Sequence, residues 1–319
     1  MGWFSLGCQT ARMRRSRTAF RPVALAAAVL AALAVTPATA GAAPSGPACG
    51  GWRTTVLRSG MGTLENLAFD GAGTVYLSRQ NVVTGRGKLL AGTAPGALRT
   101  VVDLPNPGGI VVRDGAVHVT TADSAPSGLL GRTDGTVSVV DPASGAVRTV
   151  AAGLTMPNGL ALLPDGRAVT STVLGARQGI VATAPGGTPV PFALRGEPVN
   201  GLWFDGASGR LWASTATTAT TRLYAIDPAR PERPRRYEVP GFGPGHFADD
   251  LTVGPDGAVY AALDLPGTVV RLDPATGAQC TISTGHRGVT SVRFGRGPGW
   301  DGAAMYATTL TGKLLRLVR

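Results

Sequence analysis

Charge is scarce in this sequence: only 15% of its 319 residues are Asp, Glu, Lys or Arg. Hydrophobic residues make up 44%, so disorder driven by charge is excluded and a sizeable core is available. Lysine is nearly missing, with Lys88 and Lys313 the only two among 30 basic residues. No basic stripe with interleaved aromatics occurs, which argues against a nucleic-acid partner. No G-x-S-x-G elbow and no glycine motif between a strand and a helix occur, which argues against serine-hydrolase and dinucleotide chemistry. Long stretches of helical period are missing after residue 45. What the chain has instead is Gly (46) and Pro (24), the mark of many short strands joined by tight turns.

The first forty residues read differently from the rest. Arg12, Arg14, Arg15, Arg17 and Arg21 form a basic segment, Val23–Val35 an apolar one, and Ala38-Thr39-Ala40 supplies small residues for cleavage. This is the pattern of a secretory signal peptide over 1–40. Its 13-residue apolar run is too short to span a bilayer. A linker over 41–51 and one domain over 52–319 follow, and the expected location is extracellular. Removing five Arg leaves 25 basic against 19 acidic residues, about +6. The export route, general secretory or twin-arginine, stays open.

The remainder repeats. Units begin at Glu65-Asn66, Gly108-Gly109, Asn158-Gly159, Asn200-Gly201, Asp249-Asp250 and Thr290-Ser291, spaced 43, 50, 42, 49 and 41 residues apart. Each carries an Asp-Gly between two β-rich runs, a pair that tolerates the positive φ of hairpin turns. A four-stranded propeller blade needs about 40–50 residues. The fold class is therefore all-β, a six-bladed β-propeller. The sixth unit lacks a fourth strand, while an orphan strand, Arg53 to Arg58, precedes the first. This N-terminal strand is expected to join the last blade and close the ring, removing open sheet edges. Cys49 precedes the orphan strand and Cys280 lies on the neighbouring outer strand of blade five. A Cys49–Cys280 disulfide is expected in an exported chain; two separately buried thiols are the alternative.

In a propeller the innermost strands surround a central tunnel, so the first residues of the six units should meet. Glu65, Asn158, Asn200 and Asp249 bring carboxylate or amide oxygens to that ring; Gly108 and Thr290 complete it. Two buried carboxylates without a counter-charge are costly. An all-oxygen set suits a divalent cation, calcium before magnesium or manganese, rather than zinc. The bland reading is that these residues merely start strands and satisfy backbone groups.

At these residues the chain resembles the senescence marker protein/gluconolactonase family and, more distantly, the paraoxonase and strictosidine synthase propellers. The resemblance covers roughly 52–319. It rests on Pro157-Asn158-Gly159-Leu160 with Pro164-Asp165-Gly166, on Asp249-Asp250-Leu251 with Pro255-Asp256-Gly257, and on Thr290-Ser291-Val292-Arg293-Phe294-Gly295 with Met305-Tyr306-Ala307-Thr308. It implies that Glu65, Asn158 and Asp249 hold the metal, with Asn200 as a paraoxonase-type ligand. It further implies that the metal polarises a lactone carbonyl while Asp249 helps activate water. Gly108 departs from the pattern, since relatives carry His, Asn or Asp there, so the catalytic side is expected to be thinned.

Two histidines stand near the ring in sequence. His246, three residues before Asp249, is a candidate base, and His286, four before Thr290, a candidate substrate contact together with Asp250. His118 reads as packing. The segment 122–134 is the longest loop of blade two. The expected function is a secreted metal-dependent hydrolase of a small-molecule lactone or ester, without a nucleic-acid partner or membrane anchor, and monomeric. The alternative is a non-catalytic binding propeller with a structural calcium ion.

Overall fold

Aspartates turn the chain back on itself at the base of each blade. Asp70, Asp165, Asp205, Asp256 and Asp301 each accept a backbone N–H two residues on, a side chain mimicking a backbone turn. Asp114 and Gly115 instead both take positive φ (51° and 75°), the two-residue hairpin form. Not every Asp-Gly behaves as expected. In blade four the positive φ belongs to Gly209, because the longer turn displaces it from Gly206.

The computed structural model describes residues 1–2, 48–81, 83–94 and 97–319. Backbone contacts divide the chain into two units, Met1–Pro37 and Ala38–Arg319. The expected signal segments lie outside the described residues. The second unit carries six antiparallel four-stranded sheets, the blades of a propeller. Five are consecutive meanders. The sixth is built from both ends of the chain: Arg53–Arg58 pairs antiparallel with Leu314–Val318, Arg53 facing Val318. Cys49 and Cys280 form the expected disulfide with Cα atoms 5.2 Å apart, tying the leading segment to blade five. Cys49 N also donates to Thr281 O (2.6 Å).

Each gap between neighbouring blades holds one apolar cluster. Between blades three and four, for example, Leu163, Val169 and Ile180 meet Leu202, Leu211 and Ile226. Between blades six and one, Phe69, Trp300 and Tyr306 pack with centroids 5.0–5.4 Å apart, Tyr306 edge to face with both others. Each such buried side chain contributes about 1.5–3 kcal/mol. The core is thus a ring of six seams around an axis, which leaves polar side chains to occupy the axis itself.

The inner strands are irregular where they reach the upper end of that axis. In blades one, four, five and six the ladder slips at Glu65, Asn200-Gly201, Asp249-Asp250 and Thr290-Ser291. Two inner residues oppose one on the second strand, which is a β-bulge, a device that re-aims side chains. In blades two and three Gly108-Gly109 and Asn158-Gly159 stand likewise against Thr120 and Ser171. The sequence repeat and the bulge therefore coincide.

Candidate metal centre at the mouth of the tunnel

The chain reaches several ring positions through a left-handed residue. Asn106, Met156 and Phe247 (φ 32°, 43° and 48°) stand two residues before Gly108, Asn158 and Asp249; Gly288 (77°) stands two before Thr290. Such backbone is strained for residues with a β-carbon, and here it recurs beside one site. A hydroxyl on the second strand then fixes the bulge. Ser171 Oγ accepts from Gly159 N (2.8 Å) and donates to Asn200 O of the next blade. Ser214 Oγ accepts from Gly201 N (2.9 Å) and donates to Asp249 O. Neighbouring inner strands approach so closely that a β-carbon on Gly201 would lie 2.4 Å from Asp250 Cα.

The four expected oxygen donors line this ring. Glu65, Asn200 and Asp249 are buried and Asn158 is half-buried. Asn158 Nδ2 donates to Glu65 Oε1 (3.3 Å) and to Asp123 Oδ2 (3.2 Å). Asn200 Nδ2 donates to Ala248 O (3.1 Å), which fixes its amide and leaves Oδ1 buried without a partner. Thr290 turns its hydroxyl away to Leu64 O (3.0 Å).

Two carboxylates from outside the inner strands join them. Asp123 follows the second strand of blade two and Asp264 follows that of blade five; both are buried, and each keeps a buried Oδ1 without a partner. Asp123 Oδ2 accepts from Gln80 Nε2 at 2.9 Å. It lies 3.1 Å from where a β-carbon on Gly108 would stand, so a carboxylate occupies the space beside that glycine. The available signal was an acid at the upper end of an apolar second strand.

Burial dominates the electrostatics. It pushes Asp123 and Asp264 up to about 7. It raises Glu65 and Asp249 well above the carboxylate range, with repulsion from the neighbouring acids adding to it. Such a group of acids calls for a cation. Among the described residues no three His, Cys, Asp or Glu side chains form a metal-ligating group by themselves. The donor set therefore depends on amide oxygens as well. The orphaned Asn200 Oδ1 fits that need, as do the unpartnered oxygens of Asp123 and Asp264. Asn158 now shows its amide nitrogen to the carboxylates, and a turn of its soft χ2 would present the oxygen.

The remaining expectations meet different surroundings. Asp250, expected as a substrate contact, is buried and taken up by protein partners. Its Oδ2 accepts from Arg293 Nη2 (2.7 Å), Asn66 Nδ2 (2.8 Å) and Ser291 Oγ (2.6 Å), and Oδ1 from Leu251 N (2.8 Å). This buried network lies directly below the ring, and Arg293 stacks over Trp203 at 4.7 Å. His246 is 2% exposed on a short turn of helix, Gly243–His246, and its Nδ1 pairs with Thr221 Oγ1 (3.0 Å). It packs against Gly241 of blade four rather than facing the ring, because left-handed Phe247 redirects the chain after it. Burial lowers its pKa. His286 stands half-exposed at the rim beside Lys313, its pKa lowered by burial and by that charge, and its imidazole makes no hydrogen bond to the ring. Within 122–134 the segment Ala125–Leu129 is a short helix capped by Ser124; Ser127 Oγ accepts from Met156 N (3.2 Å).

No family profile and no curated protein sequence matches this chain. Solved structures do. A gluconolactonase from Xanthomonas campestris superimposes with a TM-score of 0.65 at 16% identity, over 84% of this chain and 90% of its own. A PQQ-bound aldose sugar dehydrogenase from Streptomyces coelicolor gives 0.58 at 18%, over 86% and 99%. A catalytically inactive virginiamycin B lyase from Staphylococcus aureus with quinupristin gives 0.57 at 12%, over 84% and 99%. Three names with three chemistries share the propeller, so the likeness establishes the fold and leaves chemistry to the site.

Proposed function

We propose that this chain is an exported, divalent-metal-dependent hydrolase of lactones or related esters, with calcium held at the tunnel mouth by Glu65, Asn158, Asn200 and Asp249. The observation that carries this reading is the gathering of buried, partly unpartnered oxygens at one end of the axis. When bound, a divalent cation supplies Lewis acidity that polarises a substrate carbonyl. The chain's own residues do the rest. Asp249 accepts a proton from water on its way to the carbonyl carbon. Asp123, steadied by Gln80 and Asn158, stands in the space beside Gly108 to receive a substrate hydroxyl. Arg293 and Asp250 form a buried ion pair beneath the ring (2.7 Å), which closes that side to substrate and water in this reading. The Cys49–Cys280 disulfide supports export, and no helix among the described residues is long and apolar enough to cross a membrane.

The test is turnover of a panel of sugar and aliphatic lactones with calcium, manganese or zinc supplied. Hydrolysis that Asp249→Ala abolishes supports the reading; no turnover with any metal counts against it. One observation favours the second reading, a binding propeller with a structural ion: no imidazole faces the ring, since His246 is turned to Thr221. That reading gains if calcium raises Tm while no lactone is opened.

A further inference from the structure

The tunnel has a second end. Inner strands that start at the ring finish around a cavity of about 340 Å³ on the opposite side of the Asp250–Arg293 plug. Its walls are the last residues of inner strands from five blades, among them Phe69, Val111, Val112, Trp203, Val253 and Phe294. The volume sits at the small end of ligand pockets, which run from about 300 to 1,000 Å³ and are mostly apolar with a few placed polar groups.

The placed polar groups here are cationic. Arg293 forms the inner end, only 4% exposed, with both Nη atoms engaged and Nε buried without a partner. Arg296 stands exposed at the rim and makes no ion pair among the described residues. None of the residues lining the cavity is Asp or Glu. An apolar chamber with one free cation at its lip selects an anion with an apolar body, because the tail gains by leaving water while the carboxylate stays at the wet edge. It selects against a neutral polar sugar, whose hydroxyls would find few partners on these walls.

From this we propose that the lower end of the tunnel is a second ligand site, for a small carboxylate with an aromatic or aliphatic tail. The site is separate from the metal ring: the buried Arg293–Asp250–Ser291 network stands between them. Its occupant neither needs the cation above nor competes with a substrate there.

The test is calorimetric titration of the full chain with 4-phenylbutyrate, repeated with its neutral amide and in the presence of a chelator. Saturable 1:1 binding is expected. The neutral amide should bind about tenfold more weakly, a difference of about 1.4 kcal/mol. Arg296→Gln, a change at an exposed side chain, should weaken the carboxylate by a similar factor. Val253→Glu, which puts an acid on the wall, should abolish binding. Chelation should leave the affinity unchanged whether or not the ring proves catalytic. Failure to saturate at millimolar phenylbutyrate, affinity indifferent to both substitutions, or binding lost with the chelator overturns the assignment.

Discussion

The Asp123 carboxylate comes within 3.1 Å of the point that a β-carbon on Gly108 would occupy. A residue just past a second strand thus takes the place that an inner-strand side chain leaves vacant. The same point lies 2.8 Å from Thr120 Oγ1 and 3.0 Å from Asn158 O, so any side chain at Gly108 must displace part of the ring.

Gly108→Asn therefore should not restore a catalytic group. It should overpack the ring, destabilise the fold by about 1–3 kcal/mol and weaken calcium binding. Gly201→Ala should cost more, because the atom it meets at 2.4 Å is backbone that cannot swing aside. Urea denaturation of the two variants checks the order.

The plug should behave as a buried ion pair. Arg293→Met leaves Asp250 buried against Asn66 and Ser291 without its cation, at a cost of about 3–5 kcal/mol. Asp250→Asn combined with Arg293→Met removes both charges and should recover part of that loss. A double-mutant cycle by chemical denaturation measures the coupling.

The ring acids give the metal-free protein an unusual pH dependence. Burial raises Asp123 and Asp264 to about 7, and Glu65 and Asp249 also well upward, above unfolded values near 4. Between those limits the folded state binds more protons than the unfolded state, so stability falls as pH rises. In chelator, Tm should drop from pH 5 to pH 8. Added calcium should recover more at pH 8 than at pH 5, with protons released on binding. Thermal scans at the two pH values check the sign.

The disulfide closes a sequence separation of 231 residues around the ring. Cys49→Ser with Cys280→Ser should lower stability by about 2–5 kcal/mol by freeing the strand that completes blade six. Calcium affinity should persist, because the bridge lies on the outer strand, away from the ring. Denaturation and calcium titration of the double variant separate the two effects.

The sequence disclosed what local chemistry repeats. Turn aspartates, β-rich runs and the pairs from Glu65-Asn66 to Thr290-Ser291 recur at blade spacing, so the propeller, its closure by Arg53–Arg58 and the ring positions were all legible. Asp123 and Asp264 were not, because they follow second strands at a position where the other blades place unrelated residues. Nor could the direction of His246 be read. It depends on the left-handed turn at Phe247 and the partner at Thr221, both settled by packing rather than by any pattern in the chain. Asp250 looked like a twin of Asp249, yet a bulge points neighbouring side chains differently, one to the ring and one to the plug.

Calorimetric titration of calcium into chelator-stripped protein, alongside Asp249→Asn and Asn200→Leu, bears on the whole account at once. One ion per chain is expected for the unaltered protein, with affinity falling at least tenfold, about 1.4 kcal/mol, in each variant. Heat that never saturates, or an affinity that neither substitution changes, would contradict it.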